Sequence, residues 1–132
     1  IEHILPQTPR DGAIPSALAA SRADYEGHVY RLGNVTLLES VINQAVNKHN
    51  DLHGTWFTDK QAEYAKSGLL STQLLNHTFA IGVNTAVNRL ASLAAVNFRT
   101  AQWDGAAIAQ RQQALLDLAL DTWTLNHHRL DA

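Results

Sequence analysis

Gly33-Asn34-Val35-Thr36-Leu37-Leu38, followed by Asn43 and Asn47, is the stretch whose reading decides the fold. Gly33-Asn34 punctuates the chain as a turn, and the apolar run behind it has β-type composition. Over residues 39–49 the period changes. Val41, Ile42, Ala45 and Val46 form an apolar stripe with helical spacing, and Ser40 is its N-terminal signal. A turn, a strand and a helix therefore follow one another. Asn43 and Asn47 stand at i and i+4 and share one face of that helix. Taken singly, such asparagines are the polar side of an amphipathic helix, and Gly-Asn is only a turn.

Upstream, Ile1-Glu2-His3-Ile4-Leu5 is a short strand-like run stopped by Pro6. Alternation along a strand sends the Glu2 and His3 side chains to opposite faces. The run reads as the end of a strand with nothing before it, which leads us to expect a domain from a longer polypeptide. All three prolines (Pro6, Pro9, Pro15) fall in residues 6–27 with Gly12 and Gly27. That composition predicts a long connection, with one or two helical turns over 16–23 and a weakly alternating extended segment over 28–32.

Downstream, residues 49–56 read as a polar loop, and Thr58 with Gln61 as a capping box for a helix ending near Gly68. Asn84 or Thr85 can cap a segment through Val87, Leu90, Ala91 and Ala94. Asp104 can cap a long helix over 105–125, with Ile108, Leu115, Leu116, Ala119 and Trp123 as its stripe. Trp103 and Trp123 are expected to anchor a helical layer, and Arg111 to have a structural role. The expected class is α+β, mostly α: a strand–loop–strand–helix core over 1–60 and a helical extension over 61–132, in one domain.

Of the 132 residues 45% are hydrophobic, enough for an interior, and none is cysteine. Disulfides and thiolate zinc sites are therefore excluded, and oxygen and nitrogen ligands favour a hard divalent ion. The net charge of −2 does not suit a general nucleic-acid coat protein, although a local basic patch can still serve a cleavage site. No apolar run approaches the roughly 20 residues needed to cross a bilayer, and Ile1-Glu2-His3 has neither a basic n-region nor an h-region. A cytoplasmic protein without a membrane partner is expected.

Acidic–His–Ile–x–Pro, then Gly-Asn-hydrophobic-Thr-Leu-Leu, then an asparagine nine residues after the first, resembles the core of ββα-metal (HNH) nucleases. A narrower resemblance covers most of the chain. Residues 1–7 and 31–38, then Asn43, Asn47, Phe57, Lys60, Trp103, Ile108, Arg111, Leu115, Ala119 and Trp123, are similar to the C-terminal nuclease domain of GmrSD-type restriction enzymes and their phosphorothioate-sensing SspE-like relatives.

The resemblance implies that Glu2 and Asn43, with Asn47, hold Mg²⁺ or Mn²⁺. His3 is then the general base, and Asn34 braces the histidine or its loop. It further implies DNA cleavage to 5′-phosphate and 3′-hydroxyl ends in anti-phage restriction of modified DNA. An N-terminal nucleotide-hydrolysing domain of the same polypeptide would be the sensing partner. Arg31 and Lys60 are candidate contacts to DNA phosphate, with solvated surface roles as the plainer alternative.

The chain departs from the family pattern in having asparagine at both helical positions where many HNH enzymes have histidine, and in the longer loop between Asn47 and Phe57. Its first ligand is Glu instead of Asp. The rival reading is a non-catalytic helical DNA-binding or interaction module derived from the same fold. Among the other histidines, His28, His49, His53 and His77 read as scattered, and His127-His128 as a frayed tail.

Overall fold

Glu2–His3 (β1) pairs antiparallel with Val35–Thr36 (β2), in the register Glu2↔Thr36 and His3↔Val35. The Ile4 amide continues the pairing by donating to the Asn34 carbonyl at 2.9 Å. The computed structural model describes residues 1–10, 12–76, 100–125 and 128–129. Over these residues the fold is α+β, mostly helical, with a small two-stranded sheet at the candidate site.

The excursion between the two strands carries one helix, Arg22–Val29 (α1). Ser21 caps it by accepting from the Asp24 amide at 3.1 Å, and Asp24 reaches back to the Ala20 amide at 3.0 Å. This helix begins later than residues 16–23 suggested, because the Ser21–Asp24 cap, and not the alanines, sets its start. It also absorbs His28 and Val29, which were expected to be extended. The helix docks through Tyr25, fully buried, whose hydroxyl donates to the Pro6 carbonyl at 2.6 Å.

After a single 3-10 turn, Leu32–Asn34, and β2 comes the helix Ser40–Val46 (α2), which tightens into a second 3-10 turn, Asn47–His49. Glu39 stands at the N-cap of α2, but its carboxylate does not cap it. The Ser67 hydroxyl and the Gly68 amide each donate to Glu39 at 2.8 Å, tying the start of α2 to the end of the following helix. The Ser67 bond, first among these, holds the Glu39 carboxyl below the usual carboxylate range.

That following helix is Trp56–Tyr64 (α3). The expected capping box does not form. The helix starts two residues before Thr58, and Gln61 is buried, its amide donating to the Leu75 and Thr100 carbonyls at 2.6 Å each. A helix with a polar sequence has its polar groups turned inward onto fixed partners. The short helix Leu70–Gln73 (α4) secures β2 through Thr72, which donates to the Leu37 carbonyl at 2.6 Å.

The last helix is Gly105–Thr122 (α5), capped by Asp104 through the Ala107 amide at 2.9 Å. Ala107 and Ile108 join Ile4, Leu5, Tyr25, Val29, Trp56, Phe57, Tyr64 and Trp103 in one core. The Phe57 and Trp103 rings lie 5.2 Å apart. Arg111 is buried and donates to the Gly33 and Val35 carbonyls at 2.8 and 2.7 Å. Trp123, expected as a core anchor, lies beyond the helix end and is 68% exposed. His128 is no frayed tail: Thr124–Leu125 (β3) pairs with His128–Arg129 (β4). The expectations for His77, for the segment capped at Asn84 or Thr85, and for His127 lie outside the described residues. No described helix is long and apolar enough to cross a membrane.

The backbone of α5 presses directly on the 3-10 turn. A Cβ at Gly33 would collide with the Ile108 carbonyl oxygen and come within 2.9 Å of the Gln112 amide. Gly33→Ala should therefore cost about 1–3 kcal/mol, as overpacking against rigid backbone does, read as a lower urea midpoint with an unchanged slope. Ser67→Ala tests the Glu39 tie. A carboxyl with a depressed folded-state pKa stabilises above its unfolded pKa, and that contribution disappears as pH falls through the folded value. The stability gap between wild type and Ser67→Ala should be present at neutral pH and close on acidification, measured by urea unfolding across pH.

Candidate functional site

β1 divides its two polar side chains as a strand must. Glu2 is buried, while His3 is half-buried and reaches the Val29 carbonyl through Nδ1 at 3.0 Å. A carbonyl only accepts, so Nδ1 carries the proton and Nε2 is the basic nitrogen of the neutral ring. The Gln7 side-chain amide donates to that Nε2 at 3.3 Å. Tyr30 stands edge-on to the His3 ring at 5.9 Å.

Val29 closes α1, and the last carbonyls of a helix lack partners within it. Its oxygen therefore has capacity for two outside donors. The second is Asn34, whose Nδ2 donates to the Val29 carbonyl at 2.9 Å and to the Leu5 carbonyl at 3.0 Å. Asn34 Oδ1 accepts from the Leu5 amide at 2.8 Å and from the Trp103 indole at 3.0 Å. Every bonding position of this buried amide is used. Asn34 braces the carbonyl behind the imidazole.

On the other face of β1, Lys60 donates to Glu2 Oε1 at 2.9 Å, and the Tyr64 hydroxyl does so at 3.3 Å. Lys60 is fully buried and also donates to the Ile4 carbonyl at 2.9 Å. Burial pushes its ammonium pKa down, and the neighbouring Glu2 carboxylate opposes that shift. Burial, and then Glu2, push the Tyr64 phenol well above its usual range. The expected contact of Lys60 with DNA phosphate is thereby corrected: its charge is spent inside the protein, on Glu2. Arg31, by contrast, is exposed at the start of the 3-10 turn.

Glu2 and His3 line a cavity of about 290 Å³ together with Asn43, Asn47 and Asn50, and with Pro6, Gln7 and Thr8 from the connection. Residues distant in sequence are thus gathered at one place, with Asn34 immediately behind. Two groups in this wall lack partners. Asn43 Oδ1 and Asn50 Oδ1 are both buried without a hydrogen bond. A buried acceptor left unsatisfied costs about 1–3 kcal/mol, and neutral amide oxygens of this kind are ligands for hard divalent cations. Among the described residues no three His, Cys, Asp or Glu side chains converge, so the donor set is one carboxylate with amides.

Residues 1–118 match the family described as GmrSD restriction endonucleases, C-terminal domain. The chain belongs to that family. No curated protein and no solved structure matches it. As a GmrSD C-terminal domain the chain is part of a restriction endonuclease system, which carries nuclease activity and a DNA substrate with it. The matched span includes every cavity residue and α5 as far as Leu118.

Sequence reasoning about this GmrSD domain missed Gln7, Thr8 and Asn50. Asn50 had a signal, since 43, 47 and 50 follow the i, i+4, i+7 spacing of a helical face. The Val29 carbonyl had none, because a backbone acceptor leaves no mark on residue identity.

The buried pair makes a measurable claim. Lys60→Met leaves the Glu2 carboxylate uncompensated and should cost on the order of 3–5 kcal/mol. Adding Glu2→Gln to it should recover most of that loss. A urea double-mutant cycle reads the coupling, and additive losses would mean the two groups do not sense each other.

Proposed function

We propose that the cavity is the active site of an HNH-type (ββα-metal) DNA endonuclease, in which His3 takes a proton from the attacking water. The observation that carries this reading is the hydrogen bond from His3 Nδ1 to the Val29 carbonyl, which leaves Nε2 basic in a cavity shared with Glu2 and Asn43. The strand order supports it too: β1 and β2 are antiparallel, and α2 follows directly with Asn43 upon it.

Glu2 and Asn43 are the residues that would hold Mg²⁺ or Mn²⁺. Lys60 and Tyr64 engage Glu2 Oε1, leaving Oε2 for the ion, and Asn43 Oδ1 is an unpaired buried acceptor. When bound, the ion supplies charge relief at the phosphate and at the departing 3′ oxygen. The chain's own residues do the rest. Asn34 and the Val29 carbonyl hold the imidazole in one tautomer. Gln7 occupies Nε2, so its amide gives way to the nucleophilic water. Nε2 accepts the water proton as the new P–O bond forms and the bond to the 3′ oxygen breaks; a solvent water gives a proton to the departing oxygen, leaving 5′-phosphate and 3′-hydroxyl ends.

Exposed Arg31, and Arg10, which reaches the Asn47 carbonyl at 3.2 Å beside the cavity, are the cations we assign to DNA phosphate. The setting we infer is restriction of phage or foreign DNA carrying modified bases or a phosphorothioate backbone. Sensing there would fall to an N-terminal nucleotide-hydrolysing domain.

Supercoiled plasmid incubated with the protein should be nicked or linearised with Mg²⁺ and left intact with EDTA. His3→Ala should slow cleavage by on the order of 10²–10⁴. Cleavage indifferent to metal and to His3 would defeat this mechanism, and an absence of cleavage in every tube would favour a binding module.

A further inference from the structure

Residues 43 and 47 were paired by helical spacing, but the structure treats them differently from each other. We propose that Asn50, and not Asn47, is the amide that joins Glu2 and Asn43 in holding the divalent cation; this rests on the metal-site reading above. α2 ends at Val46, and the chain tightens into the 3-10 turn Asn47–His49. In such a turn residues i and i+3 eclipse, so Asn50 stands over Asn47 on the same side.

The two amides then divide their work. Asn47 is exposed, and its Oδ1 accepts from Asn50 Nδ2 at 3.4 Å. That bond turns the donor end of Asn50 toward Asn47 and leaves Oδ1 as its remaining acceptor. Asn50 Oδ1 is buried and without a donor, as is Asn43 Oδ1, and both residues line the cavity that Glu2 lines. The backbone beneath is pinned: the Arg10 amide donates to the Asn50 carbonyl at 2.8 Å, and Arg10 Nη2 to the Asn47 carbonyl at 3.2 Å. Asn47 is thus a positioning residue. It keeps the oxygen of Asn50, and not its NH₂ group, available to a cation.

Thermal unfolding of the 132-residue chain against MnCl₂ at constant ionic strength tests the assignment. A ligand at free concentration c that binds only the folded state stabilises it by RT ln(1 + c/Kd), so the midpoint climbs with Mn²⁺ concentration even at a weak site. Wild type should rise with Mn²⁺. Asn50→Ala should need about tenfold more Mn²⁺ or more for the same rise, while Asn47→Ala should lose less. Asn50→Asp, which keeps the size and adds a charged oxygen, should respond at least as strongly as wild type.

A wild-type Mn²⁺ response in Asn50→Ala overturns the assignment and leaves the metal site standing; so does a full loss in Asn47→Ala alone. If Asn50→Ala shows no folded baseline, Asn50→Asp decides, and a lost response there overturns the assignment. No response in wild type removes the metal site itself, and this inference with it.

Discussion

The Val29 carbonyl oxygen accepts from His3 Nδ1 and Asn34 Nδ2 together, and the arrangement of the site follows from that shared acceptor. It stands at the end of α1, where a helix has carbonyls to spare. The imidazole is oriented through it, and Asn34 is oriented with it. Asn34 in turn ties the Leu5 backbone and the Trp103 indole to the same point. One amide thereby joins the opening strand, the excursion helix and the C-terminal half of the chain. The connection of residues 4–34 has to be long because its work is to bring Val29 back beside β1.

A second constraint lies beneath the strand. Burying Glu2 is costly unless its charge is matched, and Lys60 matches it from α3. The pair need not stabilise the fold relative to apolar residues. What it provides is position: a carboxylate held at the cavity floor by Lys60 and Tyr64 through one oxygen. Around that carboxylate the cavity is lined by His3 and by the side-chain amides of Gln7, Asn43, Asn47 and Asn50, with Ile1, Pro6 and Thr8 completing the wall.

Glu2, His3, Asn34, Asn43 and Asn47 were legible because their types and spacing survive in one dimension, and the structure gathers them at or directly behind one cavity. The strand pair and the Asp104 cap were legible for the same reason. What failed to show was tertiary. Lys60 on a polar helix reads as solvated until Glu2, far away in sequence, claims it. Gln61 looked like a cap because a capping box is a local pattern, whereas its actual acceptors are the Leu75 and Thr100 carbonyls. Trp123 continued an apolar stripe that outlasts the helix itself. Extended structure was assigned to residues 28–32 because alternation over so short a run does not separate a helix end from a strand.

Arg111 reaches the Gly33 and Val35 carbonyls across 78 and 76 residues of sequence, and Trp103 reaches Asn34 across 69. Contacts of such long range form late. A chain cut short of Arg111 lacks the donors that fix the turn ahead of β2. Loss of the last helix would accordingly be felt near the other end of the sequence, where the Gly33 and Val35 carbonyls would be left without their buried partner.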